Sequence, residues 1–121
     1  MLICCNDADL KRTSSQQRED LEKRIDEYYV SWQTHDLEKM WTLLSSREKA
    51  GSKKEFIEAW KKVDLRPASY SVIDIEIENG KARVKVKLTM AEHGEEFTGT
   101  CFDYWQIESG KWVLVDSGRE E

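Results

Sequence analysis

The stretch TCFDYWQIESGKW, residues 100–112, sets one carboxylate, Asp103, among aromatic side chains. An aspartate held against an apolar face has its ionised form destabilised. Its pKa then rises toward the range useful for proton transfer, which makes Asp103 the candidate catalytic residue, a general base. The other chemically capable side chains are poorly placed. His35 directly precedes Asp36, and His93 stands beside Glu92 in a Gly-containing segment. Neither has a partner at the short-range spacing a metal site needs, so no metal is expected, and no cofactor. The expected fate of His35 is a hydrogen bond at a helix end, and that of His93 is solvent. Cys101, flanked by apolar groups, is expected to have a raised pKa and to be inert. A Ser-His-Asp order is present, but no strained nucleophile elbow and no phosphate-cradling glycine loop accompany it.

Whether Asp103 faces inward depends on the elements that carry it. Leu21, Ile25, Tyr28, Tyr29 and Trp32 recur at spacings of three and four, which predicts a helix from about Ser15 to Thr34. Asp36 can cap a shorter helix carrying Leu37, Met40, Trp41 and Leu44, although Lys39 stands where a reciprocal capping box wants an acid. Ser52 and Glu55 do form that box ahead of KKEFIEAWKKV, whose Phe56, Trp60 and Val63 share one side. Pro67 redirects the chain, and from Ser69 the apolar period becomes two.

Turn signals then fix strand register. Asn79-Gly80 as a two-residue turn opposes Ile77 to Ala82, Ile75 to Val84 and Ile73 to Val86. The other face carries Asp74, Glu76 and Glu78 against Lys85, Arg83 and Lys81. His93-Gly94, as a second such turn, opposes Met90 to Phe97, Leu88 to Gly99, Val86 to Cys101 and Val84 to Asp103, so Asp103 points into the apolar face. A bulge at Gly99 would reverse that. The last turn, Ser109-Gly110, leaves two registers. A two-residue loop puts Trp112 and Leu114 inside and opposes Asp116 to Asp103. A bulged turn puts Val113 and Val115 there and removes Asp116, and carboxylate repulsion favours it.

With 121 residues the chain suits one domain: a tail at 1–17, a folded unit at 18–117 and a short end at 118–121. A net charge of −5, with the basic row Lys81, Arg83, Lys85 and Lys87 answered by neighbouring acids, argues against a nucleic-acid partner. No apolar run reaches the roughly eighteen residues of a membrane span. The opening MLICC looks like the cut end of a lipoprotein signal, yet the basic region and most of the apolar region are missing. As encoded, a cytoplasmic chain with two free thiols is expected. If the true start lies upstream, lipid at Cys4 or Cys5 would place the chain on a bacterial envelope membrane.

The order of three helices and a four-stranded meander, carried by YYVSWQTHDLEKMWTLLS, KKEFIEAWKKV and FDYWQIESGKWVLV, resembles the nuclear transport factor 2-like superfamily over roughly residues 18 to 117. The resemblance implies an α+β cone with a cystatin-like fold, in which a strongly bent antiparallel sheet curls around the long helix and leaves a pocket at its open end. It implies nothing specific about activity, since this fold carries enzymes, binding modules and dimerisation units alike. In such a cone Tyr28 or Tyr29, Trp32, Trp41, Phe56, Trp60 and Trp105 could line a small apolar ligand's site around Asp103. Those rings could equally be plain core, with Asp103 hydrogen-bonded to a tyrosine or tryptophan. On the convex face Phe102 and Tyr104 suggest a twofold homodimer, unless Lys and Arg stems cover them. The leading expectation is a noncatalytic ligand-binding or assembly domain. The alternatives are a small isomerase or lyase using Asp103, and a dimerisation module with a filled core.

Overall fold

A computed structural model describes residues 14–46, 49 and 51–119, so Cys4 and Cys5 lie outside the described residues. Helix α1 spans Ser14–Gln33, α2 Leu37–Leu43 and α3 Lys53–Lys61. Strands β1 Arg66–Glu78, β2 Lys81–Glu92, β3 Glu95–Glu108 and β4 Lys111–Arg119 follow. They form one antiparallel sheet in the order β1-β2-β3-β4. The helical stripe read from the sequence is the buried one: Leu21, Ile25, Tyr28 and Tyr29 face the sheet, and Trp32 is partly buried at its end. From the sheet come Ile75, Val84, Val86, Trp105, Trp112 and Leu114, and from α2 Met40 and Leu43. No described helix is long and apolar enough to cross a membrane.

Local signals explain the helix ends. Asp36 accepts the Lys39 N–H at 3.2 Å and nothing answers from position 39, so that cap is single-sided. Ser52 Oγ accepts the Glu55 N–H and Glu55 Oε1 accepts the Ser52 N–H, both at 3.0 Å. Because α3 has no fully buried residue, its stability leans on this box. Ser52→Ala is expected to lower the unfolding free energy by about 1 kcal/mol in urea denaturation.

All three hairpins turn on two residues at positive φ: Asn79 and Gly80, His93 and Gly94, Ser109 and Gly110. That is the twist-matched geometry for a two-residue loop. The β2–β3 register is as expected along its whole length, with Val84 opposite Asp103 and no bulge at Gly99. Two other expectations fail. Ile73 does not oppose Val86; the register shifts between Val72 and Asp74, Val72 takes that place, and Ile73 is 52% exposed. A bulge adds a residue and reverses the faces before it, so Tyr70, opposite Leu88, now points inward.

The last turn is the two-residue form, with Glu108 opposite Lys111 and Trp112 and Leu114 inside, against the bulged turn that repulsion favoured. The repulsion is relieved further along. A shift between Tyr104 and Trp105 leaves Val115 as the extra residue, moves Asp116 opposite Tyr104, and sets Ser117 opposite Asp103.

Candidate functional site

Asp103 is fully buried on the inner face of β3. Tyr29, projecting from the buried face of α1, donates its hydroxyl to Oδ2. Ser117 Oγ donates to Oδ1 at 2.6 Å, and Cys101 Sγ, two residues back on the same face, approaches Oδ1 at 3.8 Å. Burial raises the Asp103 pKa, with a smaller contribution from Asp116, while the hydrogen bonds from Ser117, Tyr29 and Cys101 pull it back. Burial also raises Tyr29, helped by Asp103, and pushes the Cys101 thiol up to about 11, in keeping with an inert cysteine.

Above this cluster runs a chain of aromatic rings. Tyr29 stacks on Tyr70 at 4.8 Å and neighbours Trp32 at 6.3 Å. Trp32 meets Trp60 edge to face at 5.4 Å, Trp60 lies 6.0 Å from Phe56, and Phe56 lies 5.3 Å from Trp41. Tyr29 is sealed, whereas Tyr70, Trp32, Trp60, Phe56 and Trp41 are all partly exposed. The Trp32 indole N–H is fixed on Leu65 O at 2.8 Å, and His35 Nε2 lies 3.1 Å from Trp60 O, which ties the backbone at the end of α3 to the turn after α1. Trp105 belongs elsewhere: it is fully buried and packs edge-on against Tyr28 at 6.2 Å.

Of the residues expected around Asp103, Tyr29 hydrogen-bonds to it. Trp32, Trp60, Phe56 and Trp41 form a more distant row, and Trp105 is core. Ser117 and Tyr70 were missed, because only the bulges at Val115 and Ile73 turn them inward and neither carries a Gly or Pro signal. On the outer face Phe102 and Tyr104 are half-buried, with the Arg83 guanidinium 4.9 Å and Lys85 Nζ 5.9 Å from the Phe102 ring centroid. Cationic side chains of the same chain thus lie over Phe102. His93 is exposed, with its backbone N–H on Asp64 at 2.9 Å. Among the described residues no three His, Cys, Asp or Glu side chains converge as metal ligands.

No family model matches the sequence, and no match was found among curated proteins. Solved structures are similar in shape. A nuclear transport factor 2-like protein of unknown function from Shewanella oneidensis superposes with a TM-score of 0.65 at 16% identity, covering 84% of this chain and 96% of its own. One from Cytophaga hutchinsonii gives 0.65 at 18%, covering 84% and 94%. The chain has the nuclear transport factor 2-like fold. A protein of unknown function from Nostoc punctiforme with a cystatin-like fold, at a TM-score of 0.58, 17% identity and coverage of 87% and 90%, agrees. Likeness at such identity establishes the cone and leaves its chemistry to the residues inside it.

Proposed function

We propose that this nuclear transport factor 2-like domain is a noncatalytic binding module that takes a small apolar molecule against the row Tyr70, Trp32, Trp60, Phe56 and Trp41. The observation that carries this reading is the contrast between the row and the acid beneath it. Both carboxyl oxygens of Asp103 are held by donors of the chain, and the side chain has no exposed surface. A general base must reach the proton it removes directly or through one water. The rings above it keep exposed surface, and such aromatic walls gain affinity by excluding water from a flat apolar ligand. Asp103 in this reading fixes the floor of the cone.

The neutral apolar dye N-phenyl-1-naphthylamine tests it by fluorescence titration. Wild type is expected to bind with saturable enhancement, and Trp60→Ala to weaken binding about tenfold, the effect of removing one central aromatic anchor. Asp103→Asn is expected to leave the dye affinity unchanged. Absence of saturable binding, or its loss in Asp103→Asn, overturns the proposal.

A further inference from the structure

Among the described residues the sheet has an uncovered edge. β4 pairs with β3 only from Glu108 back to Cys101, where Arg119 stands opposite, so no described strand covers the β3 segment from Glu95 to Thr100. Residues Glu95 to Gly99 are all exposed, and Phe97 is 53% exposed although it sits on the apolar inner face beside buried Met90. The direction of the backbone groups follows from the register. Ile107 N–H donates to Gly80 O at 2.9 Å, and antiparallel pairing alternates direction residue by residue. Odd-numbered residues of β3 therefore aim at β2. Glu96 and Thr98 aim their N–H and C=O groups outward, at the open edge.

We propose that this edge pairs antiparallel with the same edge of a second copy, about a twofold axis at Phe97, joining the two sheets into one. The open segment, Glu95 to Thr100, is bounded by the turn at Gly94 and the β4 end at Cys101, and an axis at Phe97 pairs its Glu95–Gly99 stretch with itself. This register keeps the paired stretch clear of the described part of each copy's β4, which ends opposite Cys101. Glu96 of each copy exchanges both backbone bonds with Thr98 of the other. Phe97 faces Phe97 of the second copy in a non-hydrogen-bonded pair, the closer of the two antiparallel spacings, and the inner row becomes Met90, Phe97, Phe97, Met90. No carboxylate opposes another. Glu95 lies across from Gly99, where nothing stands within 4 Å of a Cβ position. Glu96 lies across from Thr98, whose hydroxyl is 3.0 Å from that of Thr89. The covered ring of Phe102 takes no part, and the contact is distinct from one between sheet faces. Self-pairing uses up the edge, so assembly stops at the dimer.

Sedimentation velocity up to millimolar protein tests this, since an edge contact falls well below the roughly 1,200 Å² of a standard interface and associates weakly. Wild type is expected to show a reversible dimer. Thr98→Pro, which removes an N–H aimed away from β2 that no described strand accepts, is expected to abolish it with unchanged thermal unfolding. Phe97→Ala should weaken it at least about fivefold. Paired lysines at positions 102 and 104, as Phe102→Lys with Tyr104→Lys, should leave it intact. Phe97→Cys, with Cys4 and Cys5 replaced by serine, provides a check independent of affinity: a Cα separation of about 4.5 Å in such a pair permits a disulfide, so oxidation should give a covalent dimer. A monomer at every concentration with no cross-link, a dimer that survives Thr98→Pro, loss of the dimer in the 102 and 104 variant, or growth beyond a dimer would each overturn the proposal.

Discussion

Asp103→Ala is expected to lower the unfolding free energy by about 3 kcal/mol at pH 5, read from urea denaturation, because it strands the buried hydroxyl of Tyr29 and the Ser117 hydroxyl without their acceptor. Asp103→Asn keeps the shape and an acceptor oxygen and should behave differently. Burial is the main cause of the raised Asp103 pKa, so the folded protein retains this proton at a pH where the unfolded chain has lost it. The sign follows from linkage: the contribution to stability is complete below the ordinary aspartate range, near about 3.9, and is lost as pH rises through the raised value. The loss runs at up to about 1.4 kcal/mol for each pH unit between the two pKa values. Asp103→Asn carries no such charge. Its stability should therefore fall less between pH 4 and 8 than that of wild type. Parallel pH profiles for the two proteins would show that Asp103 does not titrate with folding and would remove the sealed-floor account of the site.

Much of this site was legible in the sequence because its strands are clamped by turn chemistry. Asn79-Gly80 and His93-Gly94 each fix a two-residue loop, and simple counting from the second carries Asp103 onto the inner face opposite Val84. The helical rings were equally legible, since spacings of three and four on α1 leave Tyr29 only one direction to face. What could not be read were the two bulges that shape the site, at Ile73 and Val115. Neither Ile73 nor Val115 differs in type from its strand neighbours, and a bulge is chosen by the match between sheet curvature and packing on the far side. Yet each bulge decides a contact of the site: the first turns Tyr70 onto Tyr29, and the second exchanges Asp116 for Ser117 beside Asp103. The repulsion between Asp103 and Asp116 was the right force to consider. The chain relieves it within β4, after Trp112 and Leu114 have been seated, because a bulge at the turn would have put both outside.

That seating makes the second large effect a test of register. Trp112 is fully buried, its indole N–H donates to Gln17 O at 3.2 Å, and its own carbonyl accepts Arg24 Nε at 2.8 Å, so one residue of β4 holds the first turns of α1 against the sheet. Trp112→Ala removes the ring from a packed core and leaves the Gln17 carbonyl without that donor, which is expected to cost about 3 to 5 kcal/mol. Val115→Ala, at the partly exposed bulge, is expected to cost less than about 1 kcal/mol. In the bulged-turn register the order reverses, because Val115 would point into the core and Trp112 into solvent. Urea denaturation of the two variants side by side decides between them. A larger loss for Val115→Ala would move Asp103 next to a different residue of β4, and the pairing with Ser117 would go with it.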